Sequence, residues 1–263
     1  MNKNTMARFG PIEARIIARL SYEKKAFITA KELDELFNLS PIKRAKIVFR
    51  LKKKNILIPV KRGVYIFSPL EDGPEGTGID EMLIPPLYFS KNNYYIGYST
   101  MFNYYGFIEQ LFQTVYVLNT SFAKEKIICG IKFKFLKIPG NRLYGLQKIR
   151  VKDIEVIVSD KERTLIDLLY FYKPVGGIKA ASETFKKVID EKQCNIKKVI
   201  SYACKFPNVT LRKRIGIILE ELGIDESLLH PLAKTVQKTA ISSLNKSRKG
   251  TINKRWRVII NVS

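Results

Sequence analysis

The sequence is poor in the residues that most enzymes use for nucleophilic and acid–base chemistry. Its 263 residues include one histidine, His230, and three cysteines, Cys129, Cys194 and Cys204, without Cys-x-x-Cys spacing. This composition does not indicate a hydrolase triad, a zinc site or a disulfide framework. The apolar residues before His230 and the proline after it favour a packing role at a helix end. We therefore expect no catalytic residue, no metal site and no cofactor.

Long apolar segments are also missing. The longest runs are short, as at Ile215–Leu219, whereas a membrane-spanning helix needs about 20 apolar residues. The first ten residues are polar and basic and lack the apolar stretch of a signal peptide. We expect a cytoplasmic protein without a membrane partner. The hydrophobic content of 46% is sufficient for a core in each of two domains.

Acidic residues are scarce relative to basic ones. The chain carries 47 Lys and Arg against 24 Asp and Glu, a formal charge of +23. Such an excess indicates a polyanionic partner, nucleic acid above all. The imbalance is strongest in two places. Residues 36–70 contain nine Lys or Arg and no acid, and residues 227–263 contain eight Lys or Arg and no acid.

The first of these basic segments has the turn and capping signals of a winged helix-turn-helix. Thr29 and Glu32 form a capping box that predicts a helix after Thr29. Ser40 followed by Pro41 predicts a second helix, extending to about Lys54. Two strands, Ile56–Lys61 and Val64–Phe67, are then expected around an Arg62-Gly63 turn. A helix, a short turn, a basic helix and a hairpin are the elements of a winged helix-turn-helix, a domain that places a helix in a DNA groove.

The second helix is predicted to have an apolar and a basic side. At about 100° per residue, one side carries Ile42, Ala45, Val48 and Phe49 and should pack inward, although Lys52 also falls on it. The opposite side and the hairpin tip carry the candidate DNA-binding residues, which are Lys43, Arg44, Lys46, Ile47, Arg50, Lys53, Lys54, Lys61 and Arg62.

Beyond this unit the sequence indicates a linker and a larger second domain. Residues 69–78 are rich in Pro and Gly, so we divide the chain into a winged helix-turn-helix (1–68), a linker (69–78) and a C-terminal domain (79–263). The C-terminal domain mixes short strands and helices, and a second capping box at Ser159–Glu162 predicts a helix through Tyr172. The expected fold class is α+β, with a mixed α/β C-terminal domain. A basic loop near its end offers a possible additional nucleic-acid contact through Lys246, Arg248 and Lys249.

Six motifs in order along the chain resemble those of AbiEi-type antitoxins. In the C-terminal domain they are Ser99–Gln110, Val158–Asp167 with its Arg-Thr-Leu-x-Asp, Gly176–Ala180, Arg214–Glu220 and Gly250–Trp256; the N-terminal match comprises Arg50-Leu51 and Arg62–Tyr65. Tyr105 stands where the family usually has histidine. The physical reading of the C-terminal motifs is structural, since capping, helix termination, close approach at Gly216, a buried Trp256 and an Arg163–Asp167 pair explain most of them.

The resemblance implies an antitoxin of a type IV toxin–antitoxin system, of the kind found in abortive-infection operons that act in phage defence. Such a protein represses its own promoter, usually at inverted repeats in double-stranded DNA. It also counters a nucleotidyltransferase toxin without a stable complex. The residues themselves support only the DNA-binding part of this description.

Two other functions stay open at this stage. A metal-dependent nucleic-acid enzyme would use Asp153, Glu155 and Asp167 as metal ligands. A general RNA-binding protein would need exposed aromatic rings to stack bases. The candidates for that role, although they have the pattern of core residues, are Tyr88, Tyr94, Tyr95, Tyr98 and Tyr104.

Overall fold

The fold is mixed α/β and contains several sheets. The computed structural model describes residues 9–70, 80–89, 93–152, 154–243 and 250–260. The chain forms two compact units, the first comprising Met1–Asn92, Glu125–Phe133 and Ile149–Val156, and the second Asn93–Lys124, Lys134–Lys148 and Ile157–Ser263. The predicted linker lies largely outside the described residues. The first unit thus extends past the predicted boundary at residue 68.

The N-terminal part of the first unit is three helices and a three-stranded sheet. The elements are α1 Pro11–Tyr22, β1 Phe27–Thr29, α2 Ala30–Phe37, α3 Pro41–Lys53, β2 Leu57–Lys61 and β3 Val64–Phe67. The strand order is β1-β3-β2, and both pairings are antiparallel. The predicted helix and strand bounds in this segment are confirmed to within about a residue.

Local signals explain where these elements begin. The Thr29 hydroxyl accepts from the Glu32 N–H while the Glu32 carboxylate accepts from the Thr29 N–H, so the predicted capping box is confirmed. The Ser40 hydroxyl accepts from the Lys43 N–H at the start of α3. Asn38 ends α2 with a φ of 50°, a conformation that asparagine tolerates better than most residues. These caps hold α2 and α3 at a turn of only three residues.

One apolar cluster holds this segment together. Side chains from α1, β1, α2, α3 and the β2–β3 hairpin are buried in it; among them are Ile16, Leu20, Ile28, Leu33, Val48, Leu51 and Phe67. Each large aliphatic side chain removed from water contributes roughly 1.5–3 kcal/mol. The cluster therefore fixes the orientation of α3 relative to α1 and α2.

The remaining elements include a six-stranded sheet and the other helices. They are α4 Ile84–Tyr88, β4 Tyr94–Gly97, α5 Ser99–Tyr104, β5 Thr114–Asn119, β6 Lys124–Ile128, β7 Ile131–Lys137, β8 Leu146–Val151, β9 Ile154–Ser159, α6 Lys161–Tyr170, α7 Ile178–Asp190, α8 Ile196–Lys205, α9 Val209–Glu221, α10 Glu226–Lys234, β10 Ser242–Ser243, β11 Thr251–Asn253 and β12 Val258–Ile260. The sheet order is β6-β7-β5-β4-β9-β8, with β4 antiparallel to β5 and parallel to β9. Among the described residues, no helix combines the length and the apolar character that crossing a bilayer requires.

Two predictions about helix ends are wrong. The cap of α6 is Asp160, whose carboxylate accepts from the Arg163 N–H at 2.8 Å, because Ser159 is still the last residue of β9. The sequence also placed a break at Pro231, but α10 continues through it. The burial of Leu229 and Leu232 on either side of the proline outweighs the missing backbone hydrogen bond. His230 is exposed on this helix, so its expected packing role is wrong as well.

Candidate nucleic-acid interface

Helix α3 presents a different side to solvent from the one that its apolar pattern predicts. Its buried side chains are Ile47, Val48 and Leu51, which pack into the N-terminal cluster. Ile42 and Phe49, predicted to face the core, are 71% and 59% exposed. Ile47, predicted to face outward, is 6% exposed, so it cannot contact a ligand. The exposed Lys52, which contradicted the predicted pattern, was the sign of this error in the sequence.

The solvent side of α3 is basic and partly apolar. Leaving aside Pro41 at its first position, we call the other eight exposed residues of the helix the α3 outer face; they are Ile42, Lys43, Ala45, Lys46, Phe49, Arg50, Lys52 and Lys53. Five of these are cationic, three are apolar and none is acidic. The Lys53 ammonium lies 5.0 Å from the centre of the Phe49 ring, close enough for a cation–π contact. The face therefore combines uniform positive charge with exposed apolar surface.

Two predicted DNA-binding cations lie on the inner flank of the helix instead. Arg44 pairs with Asp34 of α2, and both side chains are less than one third exposed. The Lys54 ammonium is 2.7 Å from a Glu13 carboxylate oxygen, and the Glu13 side chain is only 4% exposed. These contacts fasten α3 to α2 and α1. Arg44 and Lys54 are therefore engaged in structural ion pairs, in contrast to the expectation that they face a ligand.

Arg50 contacts an acidic partner and is also exposed to solvent. Its guanidinium is 3.6 Å from Glu13, yet its side chain remains 63% exposed. Burial by itself would raise the pKa of Glu13. Hydrogen bonds from Lys54 and the Gly10 N–H, together with the charges of Lys54 and Arg50, outweigh burial and hold this pKa below its ordinary value. Glu13 thus stays ionised, and the Arg50 side chain remains largely accessible to solvent.

The two residues near the hairpin tip that were predicted to contact phosphate, Lys61 and Arg62, have different surroundings. Lys61 is half-buried, and its ammonium donates to the Tyr88 carbonyl at 3.1 Å. Arg62 is exposed at the β2–β3 turn, where Gly63 adopts a φ of 74°. Glycine enters this backbone region without the steric cost that a Cβ atom brings. Of the pair, Arg62 is the residue that projects from the tip.

Other candidate residues lie outside the described residues or are engaged elsewhere. Lys246, Arg248, Lys249 and Asp153 are all outside the described ranges. Within those ranges, no group of three or more His, Cys, Asp or Glu is placed to hold a metal ion. Of the alternative metal ligands, Asp167 is fully buried against Arg163. For base stacking, Tyr94, Tyr95 and Tyr98 are buried, Tyr88 is half-buried and Tyr104 is 49% exposed.

The Arg163–Asp167 pair of the second unit is structural, as its spacing predicts. The two side chains are fully buried, and the Arg163 Nε lies 3.2 Å from an Asp167 carboxylate oxygen. Arg163 also donates to the Tyr95 hydroxyl at 3.0 Å and to the carbonyls of Arg142 and Tyr144. Burial raises the pKa of Asp167, and the two nearby guanidinium groups oppose that rise. Through the contacts of Arg163, the pair connects α6 to β4 and to the segment before β8.

The C-terminal motifs build a second structural cluster around Trp256. Its indole N–H donates to the Glu220 carboxylate at 2.9 Å, and Asn253 donates to the same oxygen at 3.1 Å. The ring is fully buried against Gly216 of α9, where an added Cβ would come within 2.2 Å of Trp256 Cζ3. The close approach expected at Gly216 is therefore confirmed. These residues serve packing and hydrogen bonding within the second unit.

Comparisons with known proteins give a fold but no family. Neither a protein-family model nor a curated protein matches the sequence. A similar fold occurs in the crystal structure of the RV2827C protein from Mycobacterium tuberculosis, with a TM-score of 0.66 and 10% sequence identity. The similarity covers 96% of this chain and 92% of that chain. At this identity the match bears on the fold alone.

Proposed function

We propose that this chain binds double-stranded DNA through the α3 outer face, in the manner of a winged helix-turn-helix regulator. The order of helices and strands at the N-terminus, with a three-residue turn between α2 and α3, fits that class of domain. In this proposal α3 enters the major groove. Arg62 at the β2–β3 turn contacts the backbone beside it.

The composition of the α3 outer face is the observation that carries the proposal. Ordinary solvated helix faces mix acidic and basic side chains, whereas this face has five cations and no acid. The three structural cations Arg44, Lys54 and Lys61 are each held by a partner in the first unit. The five exposed cations of α3 lie together on the α3 outer face. Binding of DNA phosphates to such a surface is favourable because it releases the counterions of the DNA.

We further propose, from the AbiEi resemblance, that the protein is an autorepressor and antitoxin. It would bind its own promoter at inverted repeats and counter a nucleotidyltransferase toxin without a stable complex. The motifs of the second unit support this only indirectly, because they build a scaffold around Arg163 and Trp256. No catalytic residue is assigned, and the proposed protein is not an enzyme.

Paired alanine variants test the DNA-binding surface. We expect K46A/K53A to reduce affinity for the region upstream of the gene about ten-fold or more at moderate salt. The slope of log K against log salt should fall by about two, one for each lost phosphate contact. The matched control is K179A/K187A, which removes the same charge from exposed positions on α7. Equal losses in both pairs would show that only bulk charge matters and would remove the assignment of α3.

The same variants separate repression from toxin antagonism. In cells carrying a nucleotidyltransferase toxin gene and a promoter reporter, K46A/K53A should lose repression and still allow growth. This result follows if the second unit antagonises the toxin and α3 binds the promoter. Death of cells that express the wild-type protein with the toxin would contradict the antitoxin proposal and leave the DNA-binding proposal intact.

A further inference from the structure

An unbroken apolar line lies along the α3 outer face. We define the apolar line as Ile42, Ala45 and Phe49, three exposed residues at helical spacings of three and four. Ile42 is 71% exposed and Phe49 is 59% exposed, so two large apolar side chains of this line face solvent side by side with Ala45. At 1.5 Å rise per residue, the line extends for about 10 Å. It is the part of the outer face that phosphate binding leaves unexplained.

Cations border the apolar line on both sides. By helical angle Lys46 and Lys53 lie along one border, with Lys43 and Arg50 beyond them, and Lys52 lies along the other. An apolar strip between two positive borders is complementary to a groove whose floor carries methyl groups and whose walls are phosphates. The major groove of DNA is such a surface, because each thymine presents its C5-methyl group there.

We propose that the apolar line contacts thymine C5-methyl groups, so that the protein selects duplexes with thymines about three base pairs apart. This inference rests on the proposed DNA-binding function and adds a sequence preference to it. Ile42 is the second residue of α3. In helix-turn-helix domains the N-terminal residues of the recognition helix approach the base edges most closely. Ile42 and Ala45 therefore meet the first thymine, and Phe49 meets the second.

Charge argues against a second copy of the chain as the occupant of this surface. Pairing two α3 outer faces would bring five cations of one copy against five of the other, with no acid among them. Like charges placed together across an interface are strongly unfavourable. DNA supplies apolar methyl groups and negative charge within the same groove, which matches both features of the face.

Replacing thymine by deoxyuridine tests the inference, because this change removes only the methyl group. The full-length protein is used to select tight-binding duplexes from a random library, and the best duplex is resynthesised with one deoxyuridine at a time. We expect two or three positions at which affinity falls about four-fold, the effect of one lost apolar carbon group. The salt slope should stay the same, because no phosphate contact changes.

Two variants connect the effect to the apolar line. Ile42→Ala should reduce the difference between thymine and deoxyuridine at one position, where Ala45 remains, and Phe49→Ala should abolish it at a position about three base pairs away. Both side chains are exposed, so thermal unfolding should change little. The matched control is Tyr22→Ala, which truncates another exposed aromatic side chain, 87% exposed on α1. This control should leave the difference unchanged.

Several results would overturn the inference. Equal affinity for every deoxyuridine duplex would refute the recognition of methyl groups. Salt-dependent binding to these duplexes would still support the proposed function. A selection that enriches no thymines would do the same. A wild-type dimer that Ile42→Ala and Phe49→Ala convert to monomer would assign the line to self-association. Absence of duplex binding by the wild-type protein would instead remove the proposed function itself.

Discussion

At the scale of single residues, the neighbours of a cation decide what it does. Lys53 and Lys54 are adjacent in sequence, but Lys53 is exposed over the Phe49 ring whereas Lys54 is paired with Glu13. Arg44 and Lys46 differ in the same way, since only Arg44 has an acidic partner on α2. A count of positive charges therefore overestimates the number of cations that are accessible to a ligand. The buried acid Glu13 is the partner that fixes α3 to α1.

We predict that Glu13 stabilises the first unit in a pH-dependent way. Its folded-state pKa is lowered from 4.5, so the stabilisation is present above that value and is lost as pH falls through the lowered pKa. At neutral pH, Glu13→Gln should reduce the free energy of unfolding by about 1.5–3 kcal/mol, the usual effect of a hydrogen bond to a charged group. Urea unfolding between about pH 7 and pH 3 measures the change.

The matched control for this measurement is Glu183→Gln, an exposed carboxylate on α7. It should differ little from the wild-type protein at any pH. The prediction requires the gap between the wild-type protein and Glu13→Gln to close in acid. A gap that stays constant between the two ends of the pH range would mean that the carboxylate charge contributes nothing.

At the scale of helices and strands, local chemistry predicts where elements begin and end better than which side they bury. The capping box at Thr29 and the Ser40-Pro41 pair predict α2 and α3 correctly because they act through adjacent backbone atoms. The buried side of α3 depends on distant partners such as Asp34 and Glu13, which no local pattern reveals. Exposed apolar residues on α3 make the error worse, since hydrophobic periodicity assigns them to the core.

The second unit shows the same limit at its helices. Pro231 ordinarily predicts a helix end, yet tertiary packing of the flanking leucines keeps α10 continuous. The approach of Trp256 to Gly216 was predictable in kind, because a glycine inside a helix indicates either a weak point or a close neighbour. Only the three-dimensional structure shows that this neighbour is Trp256.

We predict that Gly216→Ala strongly destabilises the second unit. The added methyl group would overlap the buried Trp256 ring, and overpacking of this kind costs about 3 kcal/mol. Gly140→Ala is the control, because an added Cβ there meets nothing within 4 Å. It should change the free energy of unfolding by less than about 0.5 kcal/mol. Equal stability of the two variants in urea unfolding would show that the ring moves aside freely.

At the scale of the whole molecule, the net charge of +23 is not the property that defines the proposed interface. Exposed lysines occur on both units, for example Lys179 and Lys187 on α7. The α3 outer face differs from them in having apolar residues between its cations and no acid among them. A bound duplex should therefore cover α3 and leave α7 open to solvent.

Lysine acetylation with and without DNA tests this central claim directly. The full-length protein is treated with a limiting acetylating reagent, alone and with a duplex from the region upstream of its gene, and modified lysines are quantified by mass spectrometry. The account predicts that the duplex protects Lys43, Lys46, Lys52 and Lys53, while Lys179 and Lys187 stay as reactive as in the free protein. Unchanged reactivity on α3, or equal protection on α7, would contradict it.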